Sequence, residues 1–273
     1  MGREPKIIIV TGKKSVGKTF VTKKMMRQYC AGNPSKGVPP RRVLILDVND
    51  EFSEFKPIAI KDIPIFSIQN IIEIRRVRPF MPDGKKMTLD DIANALFQIL
   101  DCYKNGMLLI EDINKYISDS MPNDVIGAIC TNRHIGVDIV IHYQSIGRIT
   151  SKVWQNLNII RMHKITDTVK RHMHKFEDKY EYLSIAENII NTKHENGDIR
   201  FFLYVDVDDE KVYGNFTREE FEKAAMAFIQ HNYNKLITPM LNARNMDGKK
   251  MHTAQSAITE YKKTVIMILL LLT

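Results

Sequence analysis

Residues 12–19 read Gly-Lys-Lys-Ser-Val-Gly-Lys-Thr, the pattern G-x-x-x-x-G-K-[ST], directly after the apolar run Lys6–Thr11. An apolar run before this motif and a helix-forming stretch after it, Phe20–Cys30, commit the start of the chain to strand, phosphate-binding loop and helix. Gly12 and Gly17 let the backbone curl, so that the N–H groups of Lys13, Lys14, Ser15 and Val16 can point inward at a β-phosphate. The first helical turn, Lys18, Thr19 and Phe20, adds unpaired N–H donors and the positive end of the helix dipole. Lys18 can reach the β- and γ-phosphates as a point charge, and the Thr19 hydroxyl can join the shell of Mg²⁺. A chain built this way is expected to bind ATP with Mg²⁺.

A second apolar run, Met107–Ile110, ends in Glu111-Asp112. Parallel strands present ligands at their carboxyl ends, so both acids are expected beside the phosphate loop. One acid there can hold the Mg²⁺ shell and the other can activate a water for attack on the γ-phosphate. By position Glu111 falls on the metal side and Asp112 on the water side. The usual order is Asp then Glu, and the reversal leaves that division of roles open. A third run, Val137–His142, leads to Tyr143-Gln144-Ser145, where Gln144 can bond a γ-phosphate oxygen or the attacking water. Ahead of it, Asn132-Arg133-His134 closes a predicted helix, and Arg133 could reach a neighbouring subunit's γ-phosphate; Arg148 and Arg161 compete for that role.

The order of elements is strand, helix, strand, a β-rich insertion, then helix, strand, helix, strand, helix, strand. Arg42–Val48 is the second central strand. Ile58–Ile74 carries short β-branched runs broken by prolines, with an edge strand expected at Ile71–Ile74. Met87–Tyr103 is amphipathic, with Thr88 as its N-cap. Asn123–His134 reads as the next helix and Asn158–His163 as a further strand. This alternation implies an α/β fold, a mostly parallel, doubly wound sheet flanked by helices, over residues 1–198. A smaller appendage follows in 199–273, with a hairpin at Arg200–Tyr213 and a helix Thr217–Leu236 opened by a Thr217/Glu220 capping box. Asn242–Lys250 is polar and is expected to be mobile.

The chain is long enough at 273 residues for a self-sufficient core. Its three scattered cysteines argue for a reducing, cytoplasmic setting rather than a disulfide framework. The eight histidines, His172 and His174 among them, lack accompanying metal-ligand spacing and read as surface residues. A net charge of +8 favours a polyanionic partner, nucleic acid first. Val265–Leu272 is apolar but shorter than the about 20 residues that span a bilayer; it reads as a final strand, a docking tail or a weak membrane contact.

Together, Gly12–Thr19, Leu44-Ile-Leu-Asp47 followed by Asn49-Asp-Glu-Phe52, Leu108–Asp112, and Thr131–Gln144 resemble the FtsK/HerA branch of P-loop ATPases. The likeness is to its small phage and mobile-element members, including Zot-like proteins and packaging ATPases. The resemblance implies ATP hydrolysis in a homo-oligomeric ring, a hexamer or pentamer, that moves double-stranded DNA, with portal or other phage proteins as partners. It puts the metal-side acid on Glu111, the catalytic acid on Asp112, the sensor glutamine on Gln144 and the arginine finger on Arg133. Other readings weighed are a Zot-like export motor at a membrane, a P-loop kinase, and a nucleotide-gated scaffold slowed by the acid reversal.

Overall fold

The computed structural model describes residues 4–113, 116, 127–129, 135–176 and 179–269. Among these residues nine strands form one mostly parallel sheet, ordered β3-β4-β2-β5-β6-β1-β7-β8-β9. They are β1 (Ile7–Thr11), β2 (Arg42–Leu46), β3 (Lys56–Pro57), β4 (Ile74–Val77), β5 (Gly106–Ile110), β6 (Val137–Tyr143), β7 (Ile159–His163), β8 (Phe202–Asp206) and β9 (Lys211–Gly214). The chain's contacts group into two compact units, Met1–Ile160 and Arg161–Thr273.

In the first unit, β2, β5 and β6 are buried at every residue, as expected of parallel strands covered on both faces. Gly106 opens β5 because nothing larger fits: a Cβ there would lie 2.2 Å from the Tyr103 hydroxyl and 2.7 Å from the Arg42 carbonyl. Helix α1 (Lys18–Ala31) buries Met26 in a cluster with Val10, Val43, Ile45, Phe52, Leu109 and Val140, which seats it on the sheet behind the loop. Helix α3 (Leu89–Cys102) has Thr88 as its N-cap, as expected, and the cap is a full capping box: the Thr88 hydroxyl accepts the Asp91 N–H while the Asp91 carboxylate accepts the Thr88 N–H. Its buried residues Ile92, Ala95, Leu96, Ile99 and Leu100 recur at helical spacing.

The stretch expected to be β-rich differs. Ile63–Ile68 is a helix, α2, with Pro64 in its first turn, where a missing N–H costs nothing. Its Ile63, Phe66 and Ser67 point inward, while Ile65 and Ile68 are exposed. The strand beside it is Ile74–Val77 rather than Ile71–Ile74, and it lies inside the sheet between β2 and β3. The edge falls to Lys56–Pro57, where the donor that a proline lacks is tolerated because an edge strand has a neighbour on one side alone. The helix expected at Asn123–His134 lies mostly outside the described residues.

In the second unit, β8 and β9 form the predicted hairpin, antiparallel with Tyr204 opposite Tyr213. A helix not foreseen, α5 (Tyr180–Glu195), buries Tyr182, Leu183, Ile185, Ala186, Ile189 and Ile190; it follows the short α4 (Ser151–Asn156) of the first unit. The single helix expected over Thr217–Leu236 is two, α6 (Arg218–His231) and α7 (Tyr233–Asn242), separated at Asn232, whose φ/ψ of −110° and 21° leaves the helical region. The Thr217/Glu220 capping box of α6 is present. Asn242–Lys250 contains a compact turn closed by the Asn245 side chain, which accepts from the N–H groups of Asp247 and Lys249 at 3.1 and 2.8 Å. The apolar C-terminal run, over its described residues Val265–Leu269, lies in a helix, α8 (Ala254–Leu269), instead of a strand. Its Ala257, Val265 and Leu269 are buried at helical spacing. Among the described residues no helix is long and apolar enough to cross a membrane.

Candidate functional site

Register brings the site together. β1 pairs with β6, β6 with β5, and β5 with β2, all parallel, matching Thr11 with Tyr143, Ile110 with Ile141, and Leu46 with Ile110. The residues that follow these strand ends, Gly12, Gln144, Glu111 and Asp47, therefore leave one edge of the sheet side by side.

The loop after β1 curls as its sequence requires. Ser15 (φ 65°) and Gly17 (φ 86°) are left-handed and the residues beside them are not, an alternation that turns successive N–H groups to one side. Glycine takes that conformation freely; Ser15 takes it at a cost. Val16 is buried beneath the loop, whereas Lys14 and Ser15 are exposed. The Lys18 ammonium donates to the carbonyls of Gly12 (2.5 Å) and Lys13 (2.7 Å), so it arches over the loop mouth. Phe20 projects from the first turn of α1, 67% exposed.

The acid pair separates by environment. Glu111 is only 2% exposed; burial, with Glu51, Asp47 and Asp112 nearby, pushes its carboxyl up to about 8, against the Asn49 N–H that donates to it at 3.3 Å. Its carbonyl accepts from the Tyr116 hydroxyl at 3.2 Å. Asp112 is half-buried and left-handed (φ 43°), which takes its side chain out of the strand's alternation. Its Oδ2 accepts from Asn49 Nδ2 and from Gln144 Nε2, each at 3.2 Å. Asp112 and Gln144, 32 residues apart, are thus in direct contact.

Sequence reasoning gave no role to the segment after β2, and it is the third wall of the site. Asn49 binds both acids. Glu51 Oε2 accepts the Thr19 hydroxyl at 3.1 Å, so a carboxylate stands beside the group expected to meet Mg²⁺. The segment is fixed by Asp47, fully buried, which accepts the N–H groups of Glu51 (2.9 Å) and Phe52 (3.2 Å) and pairs with Arg76 at 2.7 Å. Arg76 also pairs with Asp50. The signal was the polar run Asp47–Glu51 at a strand's carboxyl end, the same signal that singled out Glu111.

Oxygen donors of this kind suit Mg²⁺, a hard ion that keeps nucleotide phosphates and water in its shell and takes one or two protein ligands. Among the described residues no group of three or more His, Cys, Asp or Glu side chains could hold a metal ion by itself. Thr19 with one carboxylate fits a phosphate-borne ion and does not make a free-standing metal site.

Arg133 lies outside the described residues. Arg148 is exposed in the turn Ile146–Arg148, just after Gln144. Arg161 is excluded as a finger: it is fully buried on β7, against the ring of Phe202, and cannot reach another subunit. Two histidines expected at the surface are also buried. His142 is 2% exposed with its Nε2 2.9 Å from the Thr22 hydroxyl of α1, and His163 is fully buried with its ring 5.2 Å from that of Phe202. Each sits on an inward-facing position of a buried strand, and that placement overrides its polarity.

No protein-family model and no curated protein matches the chain. Among solved structures, the genome-packaging NTPase B204 of Sulfolobus turreted icosahedral virus 2, in complex with ATP-gammaS, superposes with a TM-score of 0.50 at 16% identity. The match covers 78% of this chain and 97% of that one. The DNA-packaging ATPase B204 from Sulfolobus turreted icosahedral virus gives 0.49 at 14% identity, covering 77% and 97%. The N-terminal domain of zonular occludens toxin from Neisseria meningitidis gives 0.33 at 12%, covering 58% and 76%. The chain has the mostly parallel α/β fold of a P-loop NTPase, the fold of that viral genome-packaging enzyme.

Proposed function

We propose that the chain is an FtsK/HerA-type ATPase that works as a homo-oligomeric ring, a hexamer or pentamer, and translocates double-stranded DNA, as in viral genome packaging. Its setting is then the host cytoplasm, with a portal or other virus- or mobile-element-encoded protein as partner. The observation that carries this reading is the contact of Asp112 with both Asn49 and Gln144 on the sheet edge that also bears the phosphate loop. An acid just past a strand end, joined to a glutamine from the neighbouring strand, can orient a water for attack on the γ-phosphate. The net charge of +8 and the genome-packaging NTPase of the same fold support the choice of cargo.

In this mechanism the loop N–H groups and the α1 terminus bind the phosphates, and Lys18 swings from the Gly12 and Lys13 carbonyls to the γ-phosphate. Thr19, with Glu111 or Glu51, would hold Mg²⁺, which would supply positive charge to offset that of the nucleotide phosphates. Asp112 accepts the proton of the attacking water, which Gln144 and Asn49 hold in line. Arg133 or the exposed Arg148 reaches a neighbour's nucleotide.

The test is steady-state ATP hydrolysis with and without double-stranded DNA, beside the oligomeric state in solution. Stimulation by DNA in a ring-sized species is expected. Subunits carrying Arg133→Ala mixed with subunits carrying Lys18→Ala should regain part of the activity that each lacks alone, because some interfaces then join an intact finger to an intact loop. A monomer whose ATPase ignores DNA would overturn the motor reading.

A further inference from the structure

The second unit carries a basic segment that the nucleotide site does not use. Residues 170–175 read Lys-Arg-His-Met-His-Lys and form a 3-10 turn, broken at His172, whose φ/ψ of −115° and 16° is non-helical. Two acids anchor it from inside. Asp167 Oδ2 lies 3.2 Å from His172 Nε2, and Glu187 of α5 accepts the Val169 N–H at 3.1 Å. With the turn held this way, Lys170, Arg171, Met173 and His174 are left exposed.

Lys170 Nζ lies 2.6 Å from His231 Nε2 at the end of α6. An ammonium can only donate, so the ring nitrogen is the acceptor in this contact. Two basic side chains thus meet here, and a phosphate oxygen placed at the turn would accept from the Lys170 ammonium in place of the ring nitrogen. Among the described residues neither Lys170 nor Arg171 is in a salt bridge. Beside the turn lies a cavity of about 380 Å³ lined by Lys170 and His231 together with Asn188, Asn191 and Asn232, whose amides can donate to phosphate and sugar oxygens. Glu187, the acid in that lining, is pushed up to about 7 by burial, which weakens the charge it would set against a polyanion.

We infer that the Lys170–Lys175 turn, with His231 behind it, is the surface through which the second unit grips the phosphate backbone of double-stranded DNA. This rests on the motor reading above and names the contact which that reading needs. The features favour a nucleic acid over an anionic membrane: the cations are held in a fixed turn, and Met173 is the one large apolar side chain exposed within it.

The experiment compares the full-length protein with Lys170→Gln/Arg171→Gln, and with Lys249→Gln/Lys250→Gln, which removes the same charge from an exposed stretch elsewhere in the second unit. Binding of a fluorescent duplex is followed across a salt series, ATPase is measured with and without DNA, and thermal unfolding checks the fold. The turn variant should lower the slope of log affinity against log salt by about 2, at roughly 0.9 per phosphate contact. DNA stimulation should fall with it while basal ATPase stays unchanged. If wild type binds DNA and the turn variant binds it with the same slope, the inference is overturned and the motor reading stands. It is also overturned if the Lys249/Lys250 variant loses as much, or if the turn variant loses only its binding to phosphatidylserine vesicles. If wild type neither binds DNA nor is stimulated by it, both readings fall together.

Discussion

Removing Asp47 tests whether the segment after β2 is part of the machinery or merely beside it. The Asp47 carboxylate is fully buried and satisfies the Glu51 and Phe52 N–H groups and the Arg76 guanidinium, whose side chain is 8% exposed. Asp47→Ala leaves the buried Phe52 N–H and the part-buried Glu51 N–H without their acceptor and takes the better-buried partner from Arg76. Breaking a buried ion pair by deleting one partner costs about 3–5 kcal/mol. Arg76 keeps Asp50 and the Phe55 carbonyl, so the lower end, about 3 kcal/mol, is expected. With its anchor gone, the segment should release Asn49 from Glu111 and Asp112 and Glu51 from Thr19, lowering kcat by one to two powers of ten, or about 1.4–3 kcal/mol. Phosphate binding by the loop is unaffected, so the Kd for ATP should move by less than a few-fold. The assays are urea unfolding followed by turnover and nucleotide affinity at a denaturant-free temperature where both proteins are fully folded. A double-mutant cycle with Arg76→Met isolates the pair from the N–H contacts. An Asp47→Ala protein within about 1 kcal/mol of wild type, or with undiminished kcat, would refute the anchoring argument.

Lys18→Ala should lose more than nine-tenths of turnover, since it deletes the main side-chain charge facing the γ-phosphate; steady-state ATP hydrolysis reads this directly. Asp112→Asn should bind ATP normally and turn over poorly, whereas Glu111→Gln should weaken Mg²⁺-dependent binding as well; the reverse pattern exchanges the two roles. Exchanging the pair (Glu111→Asp with Asp112→Glu) should lower the unfolding midpoint and fail to raise kcat, because position 112 is left-handed. For Glu187 the native carboxyl titrates at about 7 against an ordinary 4.5, so between those values the native state binds more protons than the unfolded one and stability falls as pH rises. Glu187→Gln should therefore gain on wild type by up to about 3 kcal/mol from pH 5 to 7 and level off above, measured as the difference in unfolding free energy across that range.

Much of the first unit was legible because its strands are continuous apolar runs and its first loop has one sequence solution. Gly12–Thr19 could only follow a strand and open a helix, and Thr88 with Asp91 announced the start of α3. Where local composition and tertiary packing disagree, the sequence misleads. Ile63-Pro-Ile-Phe-Ser-Ile68 is rich in β-branched residues, yet the three side chains that bury share one face of a helix. In α5 the inward residues Tyr182, Leu183, Ile185, Ala186, Ile189 and Ile190 recur at helical spacing, but Asn and Glu residues between them blur the stripe. The roles of Asn49 and Glu51 were hidden for another reason. A polar stretch at a strand's carboxyl end marks them as candidates, but their partners follow from the register of β2 against β5, Leu46 beside Ile110, a pairing between strands far apart in the chain.

The reversed acid pair has a backbone explanation. β5 ends at Ile110, and the chain turns at Asp112 with φ 43°. Among residues with a Cβ, Asp and Asn enter that region most readily, because a short polar side chain can bond locally there. From that conformation the Asp112 carboxylate meets Asn49 and Gln144 at 3.2 Å. A glutamate at the same place would pay more for the conformation and would carry its carboxylate past both partners. Glu111, still on the strand's path, has the longer side chain where a longer reach is needed: from a buried position its Oε2 meets the Asn49 N–H on the neighbouring segment. Glu51 adds a carboxylate at Thr19. Metal-side charge at this edge therefore does not depend on Glu111 alone, whose own ionisation burial opposes. On this account the order Glu-Asp is what a left-handed turn at the strand end selects, and Asp112 is the acid that the turn swings toward Asn49 and Gln144.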